Sequence, residues 1–194
     1  MRSPAQVPRR HSALRLGIFG LCKRLAQWAG GRAFYRGWFL NPKRIVLRRE
    51  WVCAPDLPAE LEGLTILHLS DLHAGPFLGA GDLSGCLEVL GDRVPDLLAI
   101  TGDFITDSHA DALDLIPDLG RFPHRLGAFA VFGNHDYRGR KQAVLAEHLE
   151  RQGIRVLEDS GARVGDLPLW IGGLSDLEET PAPDPSAARR GRRA

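Results

Sequence analysis

Five side chains have the types and the spacing to hold a cation and to act beside it. Asp71 and His73 stand in Ser70-Asp71-Leu72-His73, Asp103 closes Thr101-Gly102-Asp103, and Asn134 and His135 lie in Gly133-Asn134-His135-Asp136. Carboxylate, amide and imidazole are hard-to-borderline oxygen and nitrogen donors. As a set they suit Mn, Fe or Zn rather than a thiolate-seeking metal. Each group follows a short apolar run: Leu64 to Leu69, Pro95 to Ile100, and Gly127 to Phe132. A buried strand that delivers a ligand at its C-terminal end has this pattern. Asp103 follows Asp71 by 32 residues, and Asn134 follows Asp103 by 31. That interval suits one β-α unit, so three strand ends of one sheet can present their loops to a common point. No Gly-x-Gly-x-x-Gly follows the first strand, which argues against a dinucleotide site there.

The elements that must position these residues are legible as patterns. Helical stretches run from Asp82 to Arg93, with Asp82 as N-cap, from His109 to Leu119, capped by Ser108, and from Tyr137 to Gln152. The last carries Arg138, Arg140 and Lys141 in its first turn, either close to a bound phosphate or on a solvated face. Gly75 to Gly79 is a loop that can wall the site. His68, on the first central strand, is read as a packing or supporting residue rather than a ligand, and His109 and His124 as surface residues. Arg44 to Val52 alternates and predicts a strand. Ile154 to Leu157, Gly161 to Val164 and Pro168 to Ile171 predict short strands of a second sheet. From Glu178 the composition turns to Pro, Ala, Asp and Arg, and disorder is expected there.

Asp71-Leu72-His73, Gly102-Asp103 and Gly133-Asn134-His135-Asp136, in this order and each after an apolar strand, resemble the first three motifs of the calcineurin-like metallophosphoesterases. The run GLTILHLSDLHAG, Gly63 to Gly75, most resembles the bacterial branch that includes membrane-associated enzymes. The resemblance implies an α/β layered sandwich with flanking helices. It also implies a phosphomonoesterase or phosphodiesterase with two divalent metal ions (Mn, Fe or Zn, Mn foremost). On that pattern Asp71 and His73 hold the first ion, Asp103 bridges, and Asn134 holds the second. A water between the ions then attacks phosphorus in line, and His135 gives a proton to the leaving oxygen. Asp136 either orients that imidazole or caps the following helix. The family completes its centre with further histidines downstream, one alone and two in Gly-His-x-His. Here His148 is the last histidine, and none occurs in residues 149 to 194. The chain is accordingly read as truncated before those motifs, with an incomplete second sheet and one face of the first sheet underpacked. The alternative function is a catalytically impaired, membrane-associated fragment.

Charge is distributed unevenly. Residues 1 to 49 hold twelve Lys or Arg and no acid, whereas residues 50 to 188 hold nine basic and 24 acidic residues. A basic arm on an acidic body points to an anionic surface as partner. The acidic body suits nucleic acid poorly, because phosphate neutralisation needs clustered cations. From Ala13 to Leu40 the cations interleave with Leu, Trp and Phe. The run Leu16 to Cys22 is too short to cross a bilayer, but a helix of this composition can lie at the headgroups of an anionic membrane. A helix packed on the domain with a solvated basic face is the other reading. The expected organisation is a basic amphipathic segment (1–50), the phosphoesterase-like domain (51–177) and a tail (178–194). Cys22, Cys53 and Cys86 show neither zinc spacing nor a disulfide framework, which fits a cytoplasmic chain, peripheral at the inner membrane.

Overall fold

The computed structural model describes residues 18, 21–22, 24–26, 28–180 and 182–192. An N-terminal helix α1 (Gly31–Trp38) precedes the sheet. The three apolar runs become β1 (Ile66–Leu69), β2 (Leu97–Thr101) and β3 (Gly127–Val131), and β4 (Ile154–Val156) joins them. All pair in parallel in the order β1-β2-β3-β4. The connections carry α2 (Ser84–Leu90), α3 (His109–Leu119) and α4 (Gln142–Arg151). Strands in sequence order with right-handed crossovers put every connecting helix on one face. Burial agrees. Leu98 and Ile100 of β2 and Ala130 of β3 pack with Leu115 of α3 and Leu145 of α4. Leu97 and Phe129, on the opposite side of the pleat, pack with Leu157, Ala162 and Val164. There β5 (Ser160–Arg163) and β6 (Trp170–Gly173) form a small antiparallel pair, so the second sheet has two strands.

Several expectations are corrected. Ile154 to Leu157 does not belong to the second sheet; α4 returns the chain far enough for a parallel crossover, and the segment becomes β4. β1 is an outer strand rather than a central one, with Ile66 57 % exposed. Arg44 to Val52 forms no strand, because alternation without a sheet to bury one face has nothing to pair with. Tyr137 to Gln152 is not one helix. Asn134–Arg140 is a 3-10 turn broken at Arg138 and Gly139, and α4 starts at Gln142. Asp82 does not cap α2. Leu83 is the N-cap, and the buried Asp82 carboxylate accepts from Gly79 N at 2.9 Å and pairs with Arg32 and Arg36 of α1. His109 is buried rather than on the surface, its Nε2 3.2 Å from Asp136 O. His124 is half-buried, with Nδ1 against Phe122 O.

Past Glu178, where composition suggests disorder, α5 (Pro185–Ala188) is capped by Asp184 and anchored by Trp170 Nε1 donating to Ala188 O at 2.7 Å. The three cysteines are free; Cys22 and Cys53 are exposed, and burial pushes the Cys86 thiol up.

Asp96 fastens the start of the outer strand. Its Oδ2 accepts from Thr65 N at 2.8 Å and Thr65 Oγ1 at 2.7 Å, and its Oδ1 pairs with Arg125 Nε at 3.1 Å. The Thr65 N–H holds this carboxyl below the ordinary carboxylate range. A lowered folded-state pKa contributes stability that is present above the unfolded value and is lost as pH falls through the folded one. Urea melts between about pH 5 and pH 2 should show that acid loss in the wild type and a smaller loss in Asp96→Asn.

Candidate metal centre

At the C-terminal edge of the sheet the chain leaves each strand through unusual backbone. Asp71 (φ 53°), His73 (φ 49°) and Asp103 (φ 53°) are all left-handed. Non-glycine residues keep such angles only where their surroundings over-determine them. Here the surroundings are the neighbouring loops. Asp71 N donates to Gly102 O at 3.1 Å, His73 N to Asp103 O at 2.8 Å and Ala74 N to Phe104 O at 2.8 Å, so the first two loops stay zipped beyond their strands. The second loop presses on the third. A Cβ on Gly102 would lie 2.2 Å from Gly133 N, and one on Gly133 would lie 2.3 Å from Asp103 Oδ1.

Asp136 closes the third loop. It is buried, and its Oδ1 accepts from Ile105 N at 3.1 Å while Oδ2 accepts from Gly133 N at 3.0 Å. Burial pushes its carboxyl up, and the Gly133 and Ile105 N–H groups pull the other way. Asp136 therefore neither orients His135 nor stands at an N-cap. It sits in the third position of the 3-10 turn and ties that turn to the second loop.

Within this frame His73, Asp103 and His135 each bring one donor atom within 4.8 Å of the others, all half-buried. His73 Nε2 is 3.6 Å from Asp103 Oδ2 and 3.8 Å from Asp71 Oδ1. The two imidazoles meet edge to face, with centroids 4.7 Å apart. Both are fastened in the same way. His73 Nδ1 donates to Ile105 O at 3.3 Å and His135 Nδ1 to Thr106 O at 3.1 Å. A proton on Nδ1 leaves the Nε2 lone pair toward the cleft, as a metal ligand requires. His135 Nε2 accepts from Arg138 Nη2 at 3.1 Å, and Arg138 in turn pairs with Asp107 at 3.3 Å. Asp103 Oδ1 accepts from His135 N at 3.0 Å and leaves Oδ2 to His73.

The two remaining expected ligands stand at the rim. Asp71 is exposed and accepts from Ser70 Oγ at 2.5 Å. A hydrogen-bond chain reaches that hydroxyl from His68 through Thr101 Oγ1, a supporting role for His68. Asn134 Nδ2 donates to Glu178 Oε2 at 3.1 Å, which leaves Oδ1 as the end available to other partners. His135, expected from the sequence as the proton donor, also falls within the ligand cluster. Glu178 escapes sequence reasoning: it lies where composition suggests disorder and no motif marks it. Its local signal was the turn in which Glu178 N donates to Asp176 Oδ1 at 2.8 Å. Of the three basic residues after Tyr137, Arg138 contacts His135. Two imidazole nitrogens, carboxylate oxygens and an amide oxygen make a donor set that fits a divalent Mn, Fe or Zn ion.

The sequence profile of the calcineurin-like phosphoesterases matches residues 64–183, which takes in all three loops and Glu178. The chain belongs to this family. Membership implies divalent metal ions and accords with the α/β layers. A transmembrane protein with metallophosphoesterase domain from Danio rerio is 36 % identical over 128 residues, 63 % of this chain and 29 % of the relative. A metallophosphoesterase of Bacillus subtilis is 28 % identical over 142 residues, 72 % of this chain and 49 % of the relative. A UDP-2,3-diacylglucosamine pyrophosphatase of Chlamydia muridarum is 33 % identical over 99 residues, 50 % of this chain and 30 % of the relative. The chain thus spans half or less of the length of these three relatives. No solved structure gives a significant match. Among the described residues no helix is long and apolar enough to cross a membrane.

Gly102→Ala should force the second and third loops apart. The expected loss is about 2–4 kcal/mol, from the left-handed angle and the backbone clash together. Chemical denaturation of the metal-free chain measures it, and a change below about 0.5 kcal/mol would show that the loops yield easily.

Proposed function

We propose that this centre hydrolyses phosphomonoesters or phosphodiesters, with Asp71, His73, Asp103 and Asn134 holding two divalent ions and His135 acting on the leaving group. The supporting observation is the meeting of His73, Asp103 and His135 donor atoms within 4.8 Å, on loops that the family profile spans. When bound, the ions (Mn foremost) would acidify a water and neutralise phosphate oxygens.

The chain's own residues do the rest. Asp103 Oδ1 accepts one N–H and keeps a second lone pair, so both of its oxygens can face ions. Glu178 fixes the direction of the Asn134 amide, since a flipped amide would set Oδ1 against a carboxylate. Arg138 holds His135 Nε2 without a proton at rest. Once its guanidinium turns to a phosphate oxygen, that lone pair can take the proton the attacking water gives up and pass it to the leaving oxygen.

The second reading, a catalytically impaired centre, is favoured by one observation: the donor atoms that gather within 4.8 Å are those of His73, Asp103 and His135, without Asn134. On this reading residues 1–194 hold one ion weakly. Calorimetric titration with Mn²⁺ should then show a single weak site, and two tight sites would contradict it. The hydrolase reading predicts chelator-sensitive turnover of a chromogenic diester that falls roughly 100-fold or more in Asp103→Asn. Turnover that survives both treatments would sink that reading, and binding without turnover would favour the impaired centre. A pyrophosphate bond, which one relative's name specifies, is the further substrate to assay. Glu178→Ala should weaken Mn²⁺ binding roughly tenfold, and Glu178→Gln, which keeps an acceptor, less. The charge of residues 1–50 supports a cytoplasmic chain, peripheral at an anionic inner-membrane surface.

A further inference from the structure

Helix α1 leaves most of its aromatic side chains exposed. A surface helix of a globular domain lays its apolar stripe on the core and its charges outward. In α1 Arg32 and Arg36 are themselves exposed, but their guanidinium groups reach in to the body beside the half-buried Tyr35. Arg32 Nη2 is 3.0 Å and Arg36 Nε 3.3 Å from the carboxylate of Asp82, whose side chain is fully buried. Arg32 also donates to Ala80 O at 3.2 Å. Phe34 and Trp38 lie about 200° around the helix from those arginines. Their rings stack on each other, 6.0 Å apart, and no residue of α1 is buried. Arg44 sets its guanidinium 3.7 Å over the Trp38 ring. Trp28 before the helix is 89 % exposed, and Trp51 after it is 83 % exposed. Indole and phenyl rings interleaved with cations therefore form the outside of this region, while its best-placed carboxylate contact is used to hold it to the body.

We infer that this outward aromatic and basic face docks on an anionic lipid bilayer, and that Asp82 holds it in fixed relation to the loop leaving His73. Charge complementarity argues for that occupant, because residues 1 to 49 contain no acid. The exposed Leu25, Val46 and Val52 argue against nucleic acid. They add nothing to a phosphate contact but gain by entering the boundary between headgroups and acyl chains. A second copy of the chain would bring like charges face to face across a two-fold axis. The link to the centre is short. Asp82 binds Gly79 N, Tyr35 of α1 packs 6.1 Å from Phe77, and the loop of Phe77 and Gly79 begins two residues after His73. The docking face goes beyond the hydrolase reading and does not depend on it.

The full chain should co-sediment with phosphatidylcholine vesicles carrying about one third phosphatidylglycerol at least tenfold more tightly than with phosphatidylcholine alone, and salt should weaken the binding. The double variant Phe34→Ala, Trp38→Ala keeps every charge, yet should bind roughly tenfold more weakly. Neither side chain is buried, so its melting curve should match the wild type. Hydrogen exchange on the vesicle-bound wild type should protect α1 and residues 75–82 together, and Asp82→Asn should confine that protection to α1. Equal binding by the double variant, equal partition to neutral vesicles, or tighter retention by a DNA duplex would overturn the docking face. So would a dimer in solution that the double variant abolishes. Unchanged exchange in residues 75–82 of the wild type on binding would overturn the link through Asp82, whatever the variant does.

Discussion

A contact too close for a methyl group governs this structure. Gly102 and Gly133 bring the second and third loops to backbone distance, and a Cβ on either one would strike the other loop. The approach sets Asp103 Oδ1 on His135 N and holds Asp103 at a left-handed angle. Asp136 reinforces it from within, binding one N–H of each loop. The positions of His73, Asp103 and His135 follow from backbone packing, so the site does not rely on long side chains finding each other. Strain held at Asp71, His73 and Asp103 is of the kind that persists where surrounding structure over-determines it.

Topology then decides which side is open. Strands in simple sequence order send α2, α3 and α4 to one face, and their apolar side chains fill it. The opposite face is covered by β5 and β6 around Leu97 and Phe129, while the outer side of β1 remains exposed at Ile66. The loops at the C-terminal ends of β1, β2 and β3 lie on one edge, where ligands of open α/β sheets are commonly bound.

The strand ends are more legible in the sequence than their surroundings, for physical reasons. Apolar runs ending in Asp, His and Asn mark strand ends locally, and the 31- and 32-residue intervals bring them together whatever lies between. Partners chosen by tertiary packing left no local mark. Asp82 looked like a cap because an acid before a helix usually is one; its arginines are 46 and 50 positions away. Glu178 reaches Asn134 across 44 positions from a stretch whose composition suggests no order. Arg44 to Val52 has the alternation of a strand but no neighbour to pair with. His109 and His124 read as surface residues yet are buried and half-buried, because exposure depends on the whole fold, not on the residue's own segment.

Anomalous diffraction at the manganese edge, from a crystal soaked in Mn²⁺, tests most directly whether the three sheet-edge loops form one cation site. The strongest peak should lie roughly 2.1 Å from His73 Nε2 and a carboxylate oxygen of Asp103. A strongest peak elsewhere on the molecule, or none with His73 and Asp103 ordered as described, would contradict it.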